Sequence, residues 1–138
     1  EKGCGIYRTA DEMQAACDTM AALRERYRHV NVQDKSAVYN TEWLLAIELG
    51  FLLEVGEAMA HSALNRKESR GAHQRIDGFE ARDDANFLKH TMAWRNAGGP
   101  PRIGYSDVVI TKSKPGTRAY GAAGEKAEAE RKQETGHA

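Results

Sequence analysis

The sequence has few cysteines, no long apolar run and no excess of either charge, and each shortage excludes a class of protein. Two cysteines in 138 residues are too few for a disulfide scaffold. No apolar stretch approaches the ~20 residues that a membrane-spanning helix needs. The 20 basic and 20 acidic residues cancel, so no net field attracts nucleic acid or an anionic membrane surface. We therefore expect a soluble, intracellular chain with no nucleic-acid partner and no direct membrane insertion.

Length and composition predict one domain followed by a tail. A hydrophobic content of 41% is enough for a modest core. From residue 121 onward the chain is mostly Ala, Glu, Lys and Gly, which bury too little apolar surface to offset the entropy of ordering. We therefore predict a domain over residues 1–120 and a flexible tail over residues 121–138. The sequence begins at Glu1 without an initiator methionine, and we expect further residues upstream.

A first helix is predicted from Thr9 to about Tyr27. Thr9 and Glu12 have the spacing of a capping box, in which both side chains satisfy free backbone donors at a helix start. Apolar residues then recur at steps of three and four, as one face of a helix requires. Cys17 lies on this apolar face, which favours a small buried thiol over a reactive one.

A second, longer helix is predicted to begin at Asn40 or Thr41 and to run to about Lys67. Its bulky apolar residues cover most of the helix circumference, so they have to be buried on more than one side. They are Trp43, Leu44, Ile47, Leu49, Phe51, Leu52, Leu53, Val55 and Met59. One neighbouring helix cannot cover them all. We therefore expect a mainly α fold, an antiparallel helical bundle that is spectrin-repeat-like and incomplete at its N-terminus, with a further helix or domain covering the rest.

A β-hairpin is predicted after the helices. Residues 87–95 fit either a helix or an alternating strand, and the turn residues that follow, Asn-Ala-Gly-Gly-Pro-Pro at 96–101, favour the strand. Residues 102–111 contain enough β-branched and aromatic residues for the second strand. The bundle is therefore expected to end in a short hairpin.

The segment at residues 66–84, which we call the charged loop, combines Arg, His and carboxylate side chains. Its charged and titratable residues are Arg66, Lys67, Glu68, Arg70, His73, Arg75, Asp77, Glu80, Arg82, Asp83 and Asp84. Gly71 is suited to a turn with positive φ. The planar fork of an Arg can bind a carboxylate of the same loop or an anionic ligand. We favour internal salt bridges, because ion-pair networks are commoner than active sites.

Other sites are weakly supported by the sequence. Glu54, Glu57 and His61 share a helix face, but a bundle metal site uses Glu-x-x-His pairs, and an ordinary pair four residues apart explains Glu57 and His61. Gly3 and Gly5 lack the strand, third glycine and downstream acid of a dinucleotide-binding turn. We therefore predict no metal site and no cofactor-binding signature.

A set of short motifs runs through the charged loop and beyond it. Residues 68–77 read ESRGAHQRID, residues 82–84 read RDD and residues 87–91 read FLKHT. Further motifs are GCGIYR at 3–8, YNT at 39–41, AHSA at 60–63, YSDV at 105–108 and RAYG at 118–121. Together these motifs resemble the C-terminal domain of the flavoprotein subunit of fumarate reductase and succinate dehydrogenase.

The resemblance implies a part of an FAD-dependent oxidoreductase that interconverts fumarate and succinate, in anaerobic respiration or the citric acid cycle. Hydride would pass between substrate and flavin, and electrons would pass through an iron–sulfur subunit to or from a membrane quinone. FAD and the residues that bind the dicarboxylate are implied to lie in the upstream domains. We therefore assign no catalytic, cofactor-binding or metal-binding residue to this chain, and we expect it to be inactive alone.

The resemblance also implies partners and a location. The bundle is expected to pack on the upstream FAD-binding domain, and the candidate residues of that interface are Arg70, His73, Arg75, Arg82 and Asp83. The iron–sulfur subunit and the membrane anchor subunits are the other implied partners. The implied location is peripheral, on the cytoplasmic side of the bacterial inner membrane.

Two alternatives stay open. An L-aspartate oxidase-like flavoenzyme is similar through residues 69–71, but the hairpin favours the fumarate reductase and succinate dehydrogenase group, and the insert GFEA at 78–81 leans toward a bacterial fumarate reductase. A free-standing helical interaction module would be a stable monomer with its apolar residues covered. A large exposed apolar face on the second helix would count against that module.

Overall fold

The computed structural model describes residues 2–112 and Gly116, and the predicted tail lies outside the described residues. Glu1–Val108 form one compact unit, and of the second unit, Val109–Ala138, only residues 109–112 and 116 are described. The elements in chain order are β1 (Tyr7–Arg8), α1 (Ala10–Tyr27), α2 (Thr41–Asn65), β2 (Gln74–Arg75), α3 (Asp84–Phe87), β3 (Lys89–Trp94) and β4 (Arg102–Asp107). The predicted mainly helical fold with a hairpin is confirmed. The spectrin-repeat likeness and the boundary at residue 120 stay predictions.

Both long helices begin where their cap residues predict. The Thr9 Oγ1 accepts the backbone N–H of Glu12 at 3.3 Å, and the Asn40 Oδ1 accepts that of Trp43 at 2.8 Å. The Glu12 carboxylate accepts from the Thr9 hydroxyl at 3.3 Å and not from the Thr9 backbone N–H, so only one of the two hydrogen bonds of a capping box is formed. α2 ends two residues earlier than predicted because Arg66 takes an extended backbone conformation, with φ −86° and ψ 102°.

The two long helices pack antiparallel. Near the end of α1, the Tyr27 hydroxyl donates to the carbonyl of Ala46 at 2.9 Å, and a Cβ added at Gly50 would lie 2.6 Å from that hydroxyl. One turn back along α1, Arg24 pairs with Glu57, which lies further along α2. The buried apolar residues between the helices and around them are Met13, Cys17, Leu53, Ala60 and Ala63. The predicted apolar face of α1, including the buried thiol of Cys17, is therefore confirmed.

Both strands of the hairpin are shorter than predicted. β3 spans residues 89–94 where 87–95 was predicted, and β4 spans residues 102–107 where 102–111 was predicted. Residues 84–87 form the short helix α3, Leu88 follows it as the C-cap, and β3 starts at Lys89, which pairs with Asp107 at the open end of the ladder. Because no strand residue precedes Lys89, the ladder cannot continue beyond Asp107. Residues 108–111, which were predicted as strand, therefore lie outside it, and the Val109 side chain is 83% exposed.

A parallel strand pair that the sequence did not predict joins β1 to β2. The backbone N–H of Gln74 donates to the carbonyl of Ile6, and that of Ile76 donates to the carbonyl of Arg8, both at 3.0 Å. Two-residue strands are too short to show a periodic pattern. Through this pair, the charged loop lies against the segment that leads into α1.

Candidate functional site

The backbone of the charged loop is fixed by its own side chains. The Ser69 hydroxyl accepts the backbone N–H of Arg75 at 2.8 Å and donates to the carbonyl of Phe79 at 2.9 Å. Arg70 and His73 exchange backbone hydrogen bonds across a turn in which Gly71 has φ +60°. The predicted turn at Gly71 is therefore confirmed.

Glu68 lies at the centre of the charged loop, and its side chain is fully buried. Its Oε1 accepts the Nε–H of Arg66 at 2.9 Å and that of Arg70 at 2.8 Å. Its Oε2 accepts the Arg70 Nη2–H and the backbone N–H of Asp83, both at 2.9 Å. Burial raises the pKa of this carboxyl, but the hydrogen bonds from Arg70, Asp83 and Arg66 outweigh it, and the pKa lies below its usual value. Glu68 is therefore ionised at neutral pH and holds two guanidinium groups together.

Arg66 connects the charged loop to the hairpin. Its Nη1 donates to the Thr91 hydroxyl on β3 at 2.7 Å, and its Nη2 donates to the carbonyl of Phe87 at the end of α3. The Phe87 ring meets the Tyr105 ring edge-on, with centroids 5.8 Å apart. The polar contacts of Arg66 therefore hold the hairpin to the end of α2, and the aromatic contact packs α3 against β4.

Arg75 connects the charged loop to the start of α1. Its guanidinium donates to both carboxylate oxygens of Asp77, at 2.8 and 2.7 Å, and to the carbonyl of Arg66 at 3.1 Å. The Asp77 Oδ2 also accepts the backbone N–H of Ala10, the first residue of α1, at 2.6 Å. The hydrogen bonds from Arg75 have the largest effect in lowering the pKa of Asp77, and the bond from the Ala10 N–H lowers it further. A carboxylate at this place is favourable because a helix N-terminus carries partial positive charge.

The outer part of the charged loop is a second ion-pair group. The Asp84 Oδ1 accepts from the Arg82 Nε at 2.7 Å and from the Arg70 Nη2 at 2.6 Å. Hydrogen bonds from Arg82 and then Arg70 hold the pKa of Asp84 well below its usual range. Beside it, the Asp83 Oδ1 caps α3 by accepting the backbone N–H of Asn86 at 3.0 Å.

The predicted interface residues are thus brought together, but they differ in exposure. Arg75 is 2% exposed, so its contacts are internal, whereas the side chains of Arg70 and Arg82 are both 27% exposed. The short-range carboxylate pairs of Arg66, Arg70 and Arg75 support the interpretation as internal salt bridges, because a guanidinium held by a carboxylate has less of its fork left for an external anion. The role of the set as a domain interface stays a prediction.

α2 presents an apolar face on the side away from α1. We call this surface the α2 apolar face and define it by six residues: Leu44, Leu45, Phe51, Leu52, Val55 and Met59. Each side chain is more than half exposed, from 51% at Leu44 to 68% at Leu52. Neighbouring exposed apolar side chains on one helix face are typical of an interaction site. The expectation that α1 alone does not cover α2 is confirmed, and the free-standing module is disfavoured.

The carboxylates considered for a metal site are bound to arginines. Glu57 pairs with Arg24 of α1, and Glu54 accepts from Arg95 at 3.0 Å. The predicted pairing of Glu57 with His61 is therefore wrong, because Arg24 reaches the buried carboxylate from the facing helix. Across residues 2–112 and Gly116, no group of three possible ligands lies close enough to hold a metal ion.

The sequence did not identify Arg8 as part of this arrangement. Its guanidinium donates to the carbonyls of Cys4 and Gly5 and to the ring of His73, a residue 65 positions away. No local pattern marks such a distant pairing. The motif GCGIYR contains Arg8, but only the structure shows its partners.

Comparison with known proteins gives one consistent family. A family model described as fumarate reductase flavoprotein C-term matches residues 1–120. A fumarate reductase flavoprotein subunit of Proteus vulgaris is 61% identical over 122 residues, which are 88% of this chain and 20% of that protein. The corresponding subunit of Escherichia coli K12 is 56% identical, over 97% of this chain and 23% of that protein. A solved structure of a mutant E. coli quinol fumarate reductase matches with a TM-score of 0.81 and 57% identity, over 85% of this chain and 20% of the other.

More distant relatives carry related names. A succinate dehydrogenase flavoprotein subunit of Coxiella burnetii is 41% identical over 67% of this chain and 16% of that protein. The chain spans about a fifth of the length of the curated fumarate reductase subunits that it matches. Because the family model matches residues 1–120, well over half of the sequence, the chain belongs to the family of C-terminal domains of fumarate reductase flavoprotein subunits.

Proposed function

We propose that this chain supports the FAD-dependent interconversion of fumarate and succinate in a fumarate reductase flavoprotein subunit without itself carrying the reaction. The family match and the names of the relatives support this proposal. The same comparisons favour it over an L-aspartate oxidase-like enzyme and over a free-standing module.

FAD would supply hydride transfer in the whole subunit, but the described residues do not fit it. Gly3 is explained by packing, since a Cβ added there would lie 2.6 Å from the Cβ of Ala16 on α1. β1 is two residues long and pairs with β2, so it is not the strand of a dinucleotide-binding unit. No step of the reaction is therefore assigned to residues of this chain.

The observation that carries the proposal is the α2 apolar face. Fully burying a Leu, Val, Phe or Met side chain contributes about 1.5–3 kcal/mol, so six half-exposed side chains leave several kcal/mol of stabilisation unused. The relative from Proteus vulgaris is about five times as long as the matched segment, so the rest of such a subunit would be available to cover this face. We infer that the flavin-bearing part of the subunit packs on this face.

The charged loop would keep that face in a fixed place. Through Arg66 and Arg75, it joins the end of α2 to the hairpin and to the start of α1. Arg70, Arg82 and Asp83 are only partly covered, and together with the more exposed charged residues Lys67, Glu80 and Asp84 they can reach a neighbouring domain. A small displacement of a supporting domain can spoil catalytic geometry elsewhere, which is how this loop would affect turnover.

The proposed partners follow from the relatives. One is named a quinol fumarate reductase and another an 8-methylmenaquinol:fumarate reductase. We infer electron exchange with a quinol pool through an iron–sulfur subunit and membrane anchor subunits, at the cytoplasmic side of the bacterial inner membrane. A peripheral position agrees with the helices in the described ranges, none of which is long and apolar enough to span a membrane.

A dye-linked assay tests the proposal. The purified chain, given FAD, fumarate and a reduced dye, is expected to show no turnover, while the whole subunit containing it turns over. Turnover by the chain alone would contradict the proposed supporting role.

A pair of variants tests the proposed contact. In the whole subunit, Leu52→Ser is expected to lower retained FAD and activity together, because it removes apolar contact area from the α2 apolar face. Val38→Ser makes a similar chemical change at a side chain that is 69% exposed and lies in the connector before α2, outside the six residues of this face. Equal activity and equal flavin content in the two variants would count against the packing of the flavin-bearing part on α2.

A further inference from the structure

His73 bridges two segments that are far apart in sequence. Its Nδ1 lies 2.7 Å from an Arg8 guanidinium nitrogen, and its Nε2 lies 3.0 Å from the carbonyl oxygen of Arg66. A guanidinium can only donate, so Nδ1 must accept and the ring proton must be on Nε2. The two contacts are therefore compatible only with a neutral imidazole of one tautomer.

The surroundings of His73 oppose its protonation. Burial lowers the pKa of the imidazole first, and the positive charges of Arg8 on β1, Arg75 on β2 and Arg66 after α2 lower it further. The hydrogen bond to the Arg66 carbonyl acts in the opposite direction and does not offset them. The nearby carboxylates Glu68 and Asp77 are bound to arginines.

Arg8 links His73 to the residues that precede α1. Besides the imidazole, its guanidinium donates to the carbonyls of Cys4 and Gly5, and its own carbonyl accepts the backbone N–H of Ile76 in the β1–β2 pair. Protonation of His73 would remove the acceptor at Nδ1 and place a positively charged imidazolium beside the Arg8 guanidinium. The strand pair has only two residues on each side, so few other bonds would hold it closed.

We propose that His73 is an acid-sensitive latch whose protonation releases Arg8 and opens the β1–β2 pair, freeing residues 4–8 from the charged loop. The closed state prefers the neutral ring, because its imidazole pKa is lower than that of an open ring. The latch is therefore fully stable above about pH 6.5, and it weakens as the pH falls below that value. Glu68 and Asp77 titrate below their usual values, so they do not act in this range.

Nuclear magnetic resonance of the ¹⁵N-labelled chain tests the latch directly. Long-range ¹H–¹⁵N spectra at pH 7.5 are expected to show a neutral His73 protonated on Nε2. Amide protection factors, which are corrected for the intrinsic effect of pH on exchange, are expected to fall at Gln74 and Ile76 between pH 7.5 and 5. The fall is bounded at about thirtyfold at pH 5, the ratio set by an open imidazole of pKa about 6.5. The amide of Ser69, which donates to Ala81 in the same loop at 3.0 Å, is the internal reference and is expected to keep its protection.

Matched variants separate His73 from other titrating groups. His73→Gln keeps a neutral polar side chain and is expected to remove the pH-dependent step at Gln74 and Ile76. His90→Gln, at an exposed position on β3, is expected to retain the step. The proposal is overturned by a charged or Nδ1-protonated ring at pH 7.5, by constant protection at both amides while His73 titrates, or by an unchanged step in His73→Gln. The measurements on the unsubstituted chain decide the question even where a variant fails to fold.

Discussion

Replacing Glu68 with Gln is the most informative single perturbation of the charged loop. The carboxylate is fully buried and accepts four hydrogen bonds, three of them from the guanidinium groups of Arg66 and Arg70. Gln has nearly the same shape, but it removes the negative charge and turns one acceptor oxygen into a donor. Two guanidinium groups then remain in a partly buried place without their shared counter-charge.

The expected cost is about 3 kcal/mol, the lower end of the range for removing one partner of a buried ion pair. With a urea m-value of about 2 kcal/mol/M, the unfolding midpoint falls by about 1.5 M. The assay is urea unfolding of the chain followed by far-ultraviolet circular dichroism at pH 7. Glu80→Gln is the matched control, because Glu80 is exposed and accepts one bond from the backbone N–H of Gly78. Its effect is expected to stay within about 0.5 kcal/mol.

The difference in stability between the parent chain and Glu68→Gln is expected to decrease at low pH. The folded pKa of Glu68 lies below the usual carboxyl value of 4.5, so its stabilisation is fully present above that value and is lost as the pH falls through the folded pKa. The midpoint difference between the parent chain and Glu68→Gln should therefore shrink below pH 4.5. Equal midpoints for Glu68→Gln and Glu80→Gln at pH 7 would refute the assignment of Glu68 as the centre of the loop.

Two further substitutions test local packing and capping by the same unfolding assay. Gly3→Ala places a Cβ 2.6 Å from the Cβ of Ala16, and overpacking of this kind costs about 1–3 kcal/mol; Gly98→Ala, where the space is open, is the control. Thr9→Ala removes the oxygen that accepts the Glu12 N–H, and a loss of about 1 kcal/mol is expected, whereas Thr9→Ser should retain most of the cap. No loss in Thr9→Ala, or equal stability of both glycine variants, would contradict the contacts described.

The long helices were predictable because their signals are local. Thr9 and Asn40 cap the helices within three residues of the N–H groups they accept, and apolar spacing marks the packed face of α1. The turn residues at 96–101 allowed the position of the hairpin to be predicted. Its ends were not predictable, because α3 fixes where β3 begins, and the apolar residues at 108–110 resemble strand residues without having a partner strand.

The charged loop was predictable as a set of ion pairs but not as a geometry. Arg75 with Asp77 and Arg82 with Asp84 are two residues apart, so their pairing follows from proximity. Glu68 is one of several acidic residues in the segment, and nothing in the sequence distinguishes it as the fully buried one. Its burial depends on the folded loop, which brings the Arg70 guanidinium and the backbone N–H of Asp83, 15 residues along the chain, onto the carboxylate.

The apolar excess of α2 was visible in the sequence, but its exposed part was not. Which side α1 covers depends on close contacts such as that of Gly50 with Tyr27, and these set the rotation of α2. Only with that rotation known can the α2 apolar face be separated from the packed side.

Methionine oxidation measures most directly whether the α2 apolar face is covered in the assembled subunit. Met59 on this face is 62% exposed in the chain, whereas Met13 is fully buried and serves as the protected reference. With hydrogen peroxide and peptide mass spectrometry, Met59 is expected to oxidise rapidly in the chain alone and at least tenfold more slowly in the whole flavin-bearing subunit. Equal oxidation rates of Met59 in the two samples, with Met13 protected in both, would contradict the account.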